Sequence, residues 1–151
     1  MRILSIIVLI VLSGSANATA QIDLDVIRQI ESSNGRQMYN EKSGAFGAHQ
    51  ITRVCLRDFN QKMGTRIRRS DLRNEKISRR IAKWYFGRRL PQILKAGGRK
   101  ASEINVLAAY NGGARRVIRG VGLPRETRQY VRKYYKYKAD KRRYIKRDTV
   151  R

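Results

Sequence analysis

Glu31 lies seven positions after Leu24 and four after Ile27, within a run whose apolar residues follow a helical rhythm. Residues three, four and seven apart share a helix face, so this carboxyl falls on or beside an apolar stripe, near the C-terminal end of its helix. Desolvation disfavours the charged form of a carboxyl, and the negative end of the helix dipole acts in the same direction. Both effects predict a raised pKa. A carboxylic acid that stays protonated near neutral pH can protonate a glycosidic oxygen as the sugar departs. On spacing alone, a glutamate in a structural ion pair fits the same pattern.

Glu31 opens the first of four short motifs that occur in order. These are Glu31-Ser32-Ser33, then residues 44–51 (Gly-Ala-Phe-Gly-Ala-His-Gln-Ile), then 109–113 (Ala-Tyr-Asn-Gly-Gly), then 126–131 (Glu-Thr-Arg-Gln-Tyr-Val). Together they resemble the soluble-type (SLT) lytic transglycosylases, which have the pattern Glu-Ser, Gly-x-x-Gln, Ala-Tyr-Asn and Glu-Thr-x-x-Tyr-Val on a lysozyme-like fold. The resemblance spans about residues 24–134. It implies cleavage of the β-1,4 bond between N-acetylmuramic acid and N-acetylglucosamine in peptidoglycan. Glu31 would act as acid on the bridging oxygen and then as base on the muramic acid 6-hydroxyl, leaving a 1,6-anhydro end.

The resemblance also implies supporting roles for Ser32, Gln50, Tyr110, Asn111, Glu126 and Tyr130 in binding substrate. Gln50 would lie at the cleft beside Glu31, with Gly47 leaving room for a close approach. Tyr110 would aim its hydroxyl at the acid or the substrate, and Asn111 would fix the loop entering the cleft. Glu126 and Tyr130 would form cleft wall. The bland readings are a helix-surface glutamine, a core tyrosine, a helix-terminating asparagine and a packing tyrosine with a capping glutamate. The family has a further serine between the first two motifs, and Ser43, the nearest here, would fill its place in binding substrate. His49 stands where the family usually has an apolar residue, often methionine, and residues 34–40 lack the usual Asn-Pro pair. Ordinary glycosidases need a second carboxylate. Glu41 and Glu126 are the candidates, and neither is expected to be a nucleophile. As the only histidine, His49 has no second imidazole with which to build a metal site, and no cofactor is expected.

The elements that must position these residues read as helices, and strand-type alternation is scarce. Helices are expected over about residues 22–33, around Ile51 to Phe59, from a cap at Ser70 towards Pro91, from a cap at Ser102 to Asn111, and over 125–135. The expectation is an all-α, lysozyme-like globular domain of about five helices. The single cysteine, Cys55, excludes an internal disulfide and reads as a core residue, with an intermolecular bridge or a reactive thiol as the other options.

At its start the chain has a basic Met1-Arg2, an apolar run from Ile3 to Leu12 interrupted by Ser5, and small-x-small sites ending at Ala18 and Ala20. A run of ten residues, nine of them apolar, is too short to cross a bilayer, so residues 1–20 are expected to be a signal peptide cut after Ala18 or Ala20, an uncleaved anchor being the alternative. The remainder would be periplasmic or secreted, with a catalytic domain over 21–131 and a basic, tyrosine-rich tail over 132–151. Thirty-five Lys and Arg against eleven Asp and Glu give a net charge of +24, and loss of Arg2 with the leader lowers it by one to +23. Such an excess concentrates polyanions. For an exported chain these are anionic wall polymers and lipid head groups before nucleic acid, and tyrosines among the tail's cations suit polymer docking as well as a solvated helix face does. Two further readings stay open: a goose-type-like muramidase that adds water, and a non-enzymatic cationic binder. By analogy with the family, a recruiting secretion, conjugation or phage machine is a further partner class.

Overall fold

The computed structural model describes residues 21–149, so the expected signal peptide lies outside the described residues. Seven α-helices carry the fold: α1 (Leu24–Ser32), α2 (Arg53–Met63), α3 (Glu75–Trp84), α4 (Leu90–Ala96), α5 (Glu103–Gly112), α6 (Ala114–Arg119) and α7 (Arg125–Asp148). No strand forms among the described residues; two isolated antiparallel bridges, Tyr39 with Phe46 and Phe46 with Ile51, shape the loop between α1 and α2. The all-α expectation holds, with seven α-helices in place of about five and the last running well beyond its expected end near residue 135.

Local chemistry explains most of the helix starts. Asp23 caps α1 by accepting from the amides of Asp25 and Val26 at 3.0 and 3.2 Å, Thr52 caps α2 through Cys55 N at 3.2 Å, and Ser102 caps α5 through Asn105 N at 3.3 Å. The cap expected at Ser70 is instead Asn74, whose Oδ1 accepts from Lys76 N at 2.9 Å. Residues Arg69–Arg73 wind as a 3-10 turn before it, held by Arg68 N donating to Asp71 at 2.8 Å. The helix expected to run on to Pro91 is interrupted by a π turn, Tyr85–Arg89. Proline has no amide hydrogen, and its ring crowds the carbonyl four residues back, here Gly87. The wider turn lets Leu90 N bond to Tyr85 O and the helix resume as α4 with Pro91 in its first turn.

The core centres on α5, where Val106, Leu107, Ala108 and Ala109 are all buried. A helix apolar around its circumference has to be surrounded. Around it pack Val26 and Ile27 of α1, Cys55 and Phe59 of α2, Ile81 of α3, Phe86 of the π turn, Leu90 and Leu94 of α4, and Tyr130 and Tyr134 of α7. Cys55 is part of this core, and burial pushes its thiol up to about 12, far from the reactive thiolate. No helix among the described residues is long and apolar enough to cross a membrane.

The last helix runs unbroken past Val131 to Asp148, and its second half is tied to the body of the protein. The Tyr134 ring is fully buried; its hydroxyl accepts from Asp23 N at 2.8 Å and donates to Glu103 at 2.9 Å. Lys138 pairs with Glu103, and Lys141 pairs with Asp23 at 3.0 Å and Asp25 at 2.8 Å. The ion-paired residues Asp23, Asp25, Glu103, Lys138 and Lys141 line a pocket of about 920 Å³ that Glu31 does not join.

Candidate active site

Glu31 occupies the last turn of α1, one residue before a fully buried serine. The Tyr130 hydroxyl of α7 donates to its Oε1 at 2.7 Å. Burial raises the Glu31 carboxyl from 4.5 to about 7, and the Tyr130 bond and the nearby Lys133 cation only partly offset it. No carboxylate figures among the groups that shift it. Tyr130 is itself buried, and desolvation together with the Glu31 charge holds its hydroxyl well above its ordinary value, so it remains a donor. The arrangement leaves one carboxyl that is half protonated near neutrality, oriented by a hydroxyl from the other end of the chain.

Tyr130 is set in place by its neighbours in α7. Thr127, one turn earlier, is buried against Gly112 at the end of α5, where an added Cβ would lie 2.7 Å from its Oγ1. Tyr134, one turn later, is anchored in the core. Gly112 and Thr127 belong to the third and fourth motifs, so those motifs meet as a helix-helix contact that brings Tyr130 to Glu31.

Beneath the acid the first two motifs are stitched together. Ser32 Oγ accepts from Gly35 N at 2.8 Å and lies 2.8 Å from Ala48 O and 3.0 Å from Arg28 O. Fully buried and with its partners filled, Ser32 ties the end of α1 to the 45–51 loop and presents no surface to a substrate, which corrects the expected contact. His49 is also fully buried, with its amide and Nδ1 at 3.2 and 3.3 Å from Ser78 Oγ of α3. Burial, followed by the Arg79 and Arg28 charges, lowers its imidazole to about 4, so at neutral pH it is an uncharged spacer.

Tyr110 does not aim at the acid. Its hydroxyl donates to His49 O at 2.7 Å, with Gln50 O at 3.2 Å, and so buttresses the loop that carries Gln50. Gln50 sits at a φ of 48°, an unusual backbone for a side-chain-bearing residue, and its Nε2 bonds Gln37 O and Gly47 O, both at 3.1 Å. Its Oε1 is buried with no partner, leaving one acceptor free. Gly47, at a φ of 85°, makes its close approach to Leu72 O, which an added Cβ would meet at 2.5 Å. The space expected for substrate is thus filled by the protein's own backbone.

Three other expected site residues remain apart from this cluster. Ser43 is exposed in a turn, where its Oγ accepts from Ala45 N at 3.3 Å and its amide donates to Asn40. Asn111 is exposed within α5, which continues through it to Gly112, so it does not fix a loop by side-chain bonding. Glu126 and Glu41 are both exposed, Glu126 in the first turn of α7. Three residues that matter were not singled out: Thr127, Ser78 and Lys133. Thr127 had a signal, as the residue in its motif with the helical spacing to share a face with Tyr130 and Tyr134. Ser78 had none. Among the described residues no three His, Cys, Asp or Glu side chains gather as metal ligands.

A desolvated carboxyl held by a tyrosine hydroxyl has the chemistry that a general acid needs towards an oxygen leaving group. The family follows from sequence: residues 14–132 match the transglycosylase SLT domain, and the chain belongs to that family. It is therefore a transglycosylase-type enzyme acting on glycosidic bonds, with peptidoglycan as the substrate that membership implies. No curated protein and no solved structure matches the chain.

Proposed function

We propose that this protein is a peptidoglycan lytic transglycosylase that cuts the β-1,4 bond between N-acetylmuramic acid and N-acetylglucosamine and closes the muramic acid into its 1,6-anhydro form. The observation that carries this reading is the raised carboxyl of Glu31, whose hydrogen-bond partner is the Tyr130 hydroxyl and not a second carboxyl. Protonated Glu31 gives its proton to the bridging oxygen as the bond from the muramic acid anomeric carbon to that oxygen breaks. The resulting carboxylate takes the proton of the 6-hydroxyl as that oxygen bonds to the anomeric carbon, which returns Glu31 to its starting state with no water consumed. A hydrolase would need a second carboxylate to activate water or to form a covalent intermediate.

In this reading Tyr130 holds the carboxyl in position through both proton transfers, and Gln50, bonded to Gln37 O and Gly47 O, fixes the loop beside the acid. The enzyme works in the periplasm or outside the cell, and the exposed cations of α7 hold it on anionic wall polymer. Mass spectrometry of digested cell-wall glycan tests the reaction. Anhydro ends are the expected product; reducing ends identify a muramidase, and intact strands identify a non-enzymatic binder.

A further inference from the structure

Away from the acid, the α1–α2 loop and the 3-10 turn form a small cationic groove. Tyr39, Phe46, Arg69, Ser70 and Arg73 line about 460 Å³. The Arg69 guanidinium lies 5.0 Å from the Tyr39 ring centre and 5.4 Å from that of Phe46, and the Arg73 guanidinium lies 5.9 Å from Phe46. The two rings are 6.3 Å apart, and Tyr39 is 51% exposed. Arg69 is fixed by a 2.9 Å bond from Nη2 to Gly44 O, and its Nε is buried with no partner. Among the described residues, no carboxylate comes within ion-pair distance of either arginine.

Two guanidiniums held over the same ring repel each other, and here no acid of the protein compensates them. Among the described residues Arg73 makes no hydrogen bond or ion pair and Arg69 uses only Nη2, on Gly44 O, so guanidinium N–H groups of both arginines are left over for a planar oxyanion. The exposed Tyr39 face beside them offers a flat apolar surface of the kind on which a sugar ring can lie. Position points the same way. Phe46 pairs with Tyr39 on one side and with Ile51 on the other, and Gln50 immediately precedes Ile51 and bonds back to Gln37. The groove and the free Gln50 acceptor are thus parts of one loop.

We propose that this groove is a binding subsite for a carboxylate carried on an N-acetylated glycan strand, with Arg69 and Arg73 taking the carboxylate and Tyr39 the adjoining sugar. The proposal rests on the glycan-cleaving reading above. Two sources supply such a carboxylate: the peptide stem, or the lactyl group that a stem-free strand exposes.

The test measures binding rather than turnover, on the full mature chain carrying Glu31→Gln so that strands stay intact. Three ligands are compared: stem-bearing glycan, stem-free glycan, and N-acetylglucosamine oligomers, which have no carboxylate. Adding Arg69→Ala and Arg73→Ala together should weaken binding to at least one carboxylated strand about tenfold or more, with the neutral oligomer unchanged. The strand that responds identifies the source. Because Arg69 also braces Gly44, Arg73→Ala alone provides a variant that leaves that bond in place, and it should give a smaller selective loss of about threefold. No change on either carboxylated strand, an equal loss on all three ligands, or no binding to carboxylated glycan at all overturns the proposal. Failure of the wild-type chain to cleave glycan would instead remove the catalytic reading, and the binding result would stand on its own.

Discussion

The two ends of α1 treat their carboxyls in opposite ways. At the N-terminus Asp25 is 54% exposed in its side chain and gripped by Lys141 and Arg79, whose hydrogen bonds are the chief cause of a pKa lowered from 3.8 to about 2. At the C-terminus Glu31 has a tyrosine hydroxyl in place of a bonded cation, and burial lifts it from 4.5 to about 7. Nine residues of one helix therefore carry a permanent anion at one end and a titrating acid at the other. The helix dipole favours the same division, stabilising a negative charge at the start and opposing it at the end. In a chain of charge +24 cations are plentiful, so what distinguishes Glu31 is that it is buried with none of them in ion-pair contact among the described residues.

The comparison breaks most sharply at Glu31. Glu31→Gln should reduce strand cleavage about a thousandfold or more while the fold persists, measured by product release and thermal melting. The same variant should reveal the cost of burial. A folded pKa above the unfolded one means that the native state binds more protons, so stability falls as pH rises from 4.5 to about 7. Glu31→Gln should therefore be more stable than wild type above pH 7, by roughly 3 kcal/mol, with the difference vanishing below pH 4.5. A variant equally stable or weaker at pH 8 would show that the carboxyl is not desolvated. Wild-type cleavage should decline as pH rises through about 7, as the acid loses its proton.

Next in size is the anchor that both ends share. Tyr134→Ala removes a buried ring together with the bonds to Asp23 and Glu103, and should cost about 3 kcal/mol in denaturant unfolding. For this reason a chain truncated after Val131 would lose fold as well as charge, and retention on wall material is better probed by salt than by truncation. Tyr130→Phe should lower cleavage about tenfold and move the alkaline limit of activity upward, since the lost hydrogen bond had favoured the charged Glu31. Asp25→Asn should have the smallest effect, under about 1 kcal/mol, because exposed pairs are screened by solvent. The sign at this end is reversed: the Asp25 contribution is present above pH 3.8 and is lost as pH falls towards 2.

Sequence made the helix of Glu31 and the burial of its carboxyl legible, because periodicity marks a helix face, but it assigned the hydroxyl aimed at that carboxyl to Tyr110 and only a cleft-wall place to Tyr130, whose hydroxyl makes the bond. Ser102 was readable as a cap for a similar reason, its signal being local. Ser70 was not, since an equally good cap in Asn74 follows it and only packing chooses between them. The roles of Ser32, Tyr110 and Gly47 were misplaced from substrate to scaffold. Each contacts a backbone carbonyl supplied from elsewhere in the fold, Ala48, His49 or Leu72, and carbonyls leave no trace in residue identity. The π turn was hidden likewise, because Pro91 announces a break without saying whether the helix will end or widen.

Glu31 and Tyr130 are separated by 99 residues, and Asp23 and Tyr134 by 111. Both ends of the first helix are therefore secured by the last one, and contacts so distant along the chain form only after the intervening helices have closed up. While the polypeptide is still emerging it already contains its acid, yet lacks the hydroxyl that orients it and the helix that covers it. Assembly of the Glu31–Tyr130 pair is thus tied to synthesis of α7: a molecule that lacks this helix carries the carboxyl without the hydroxyl that orients it.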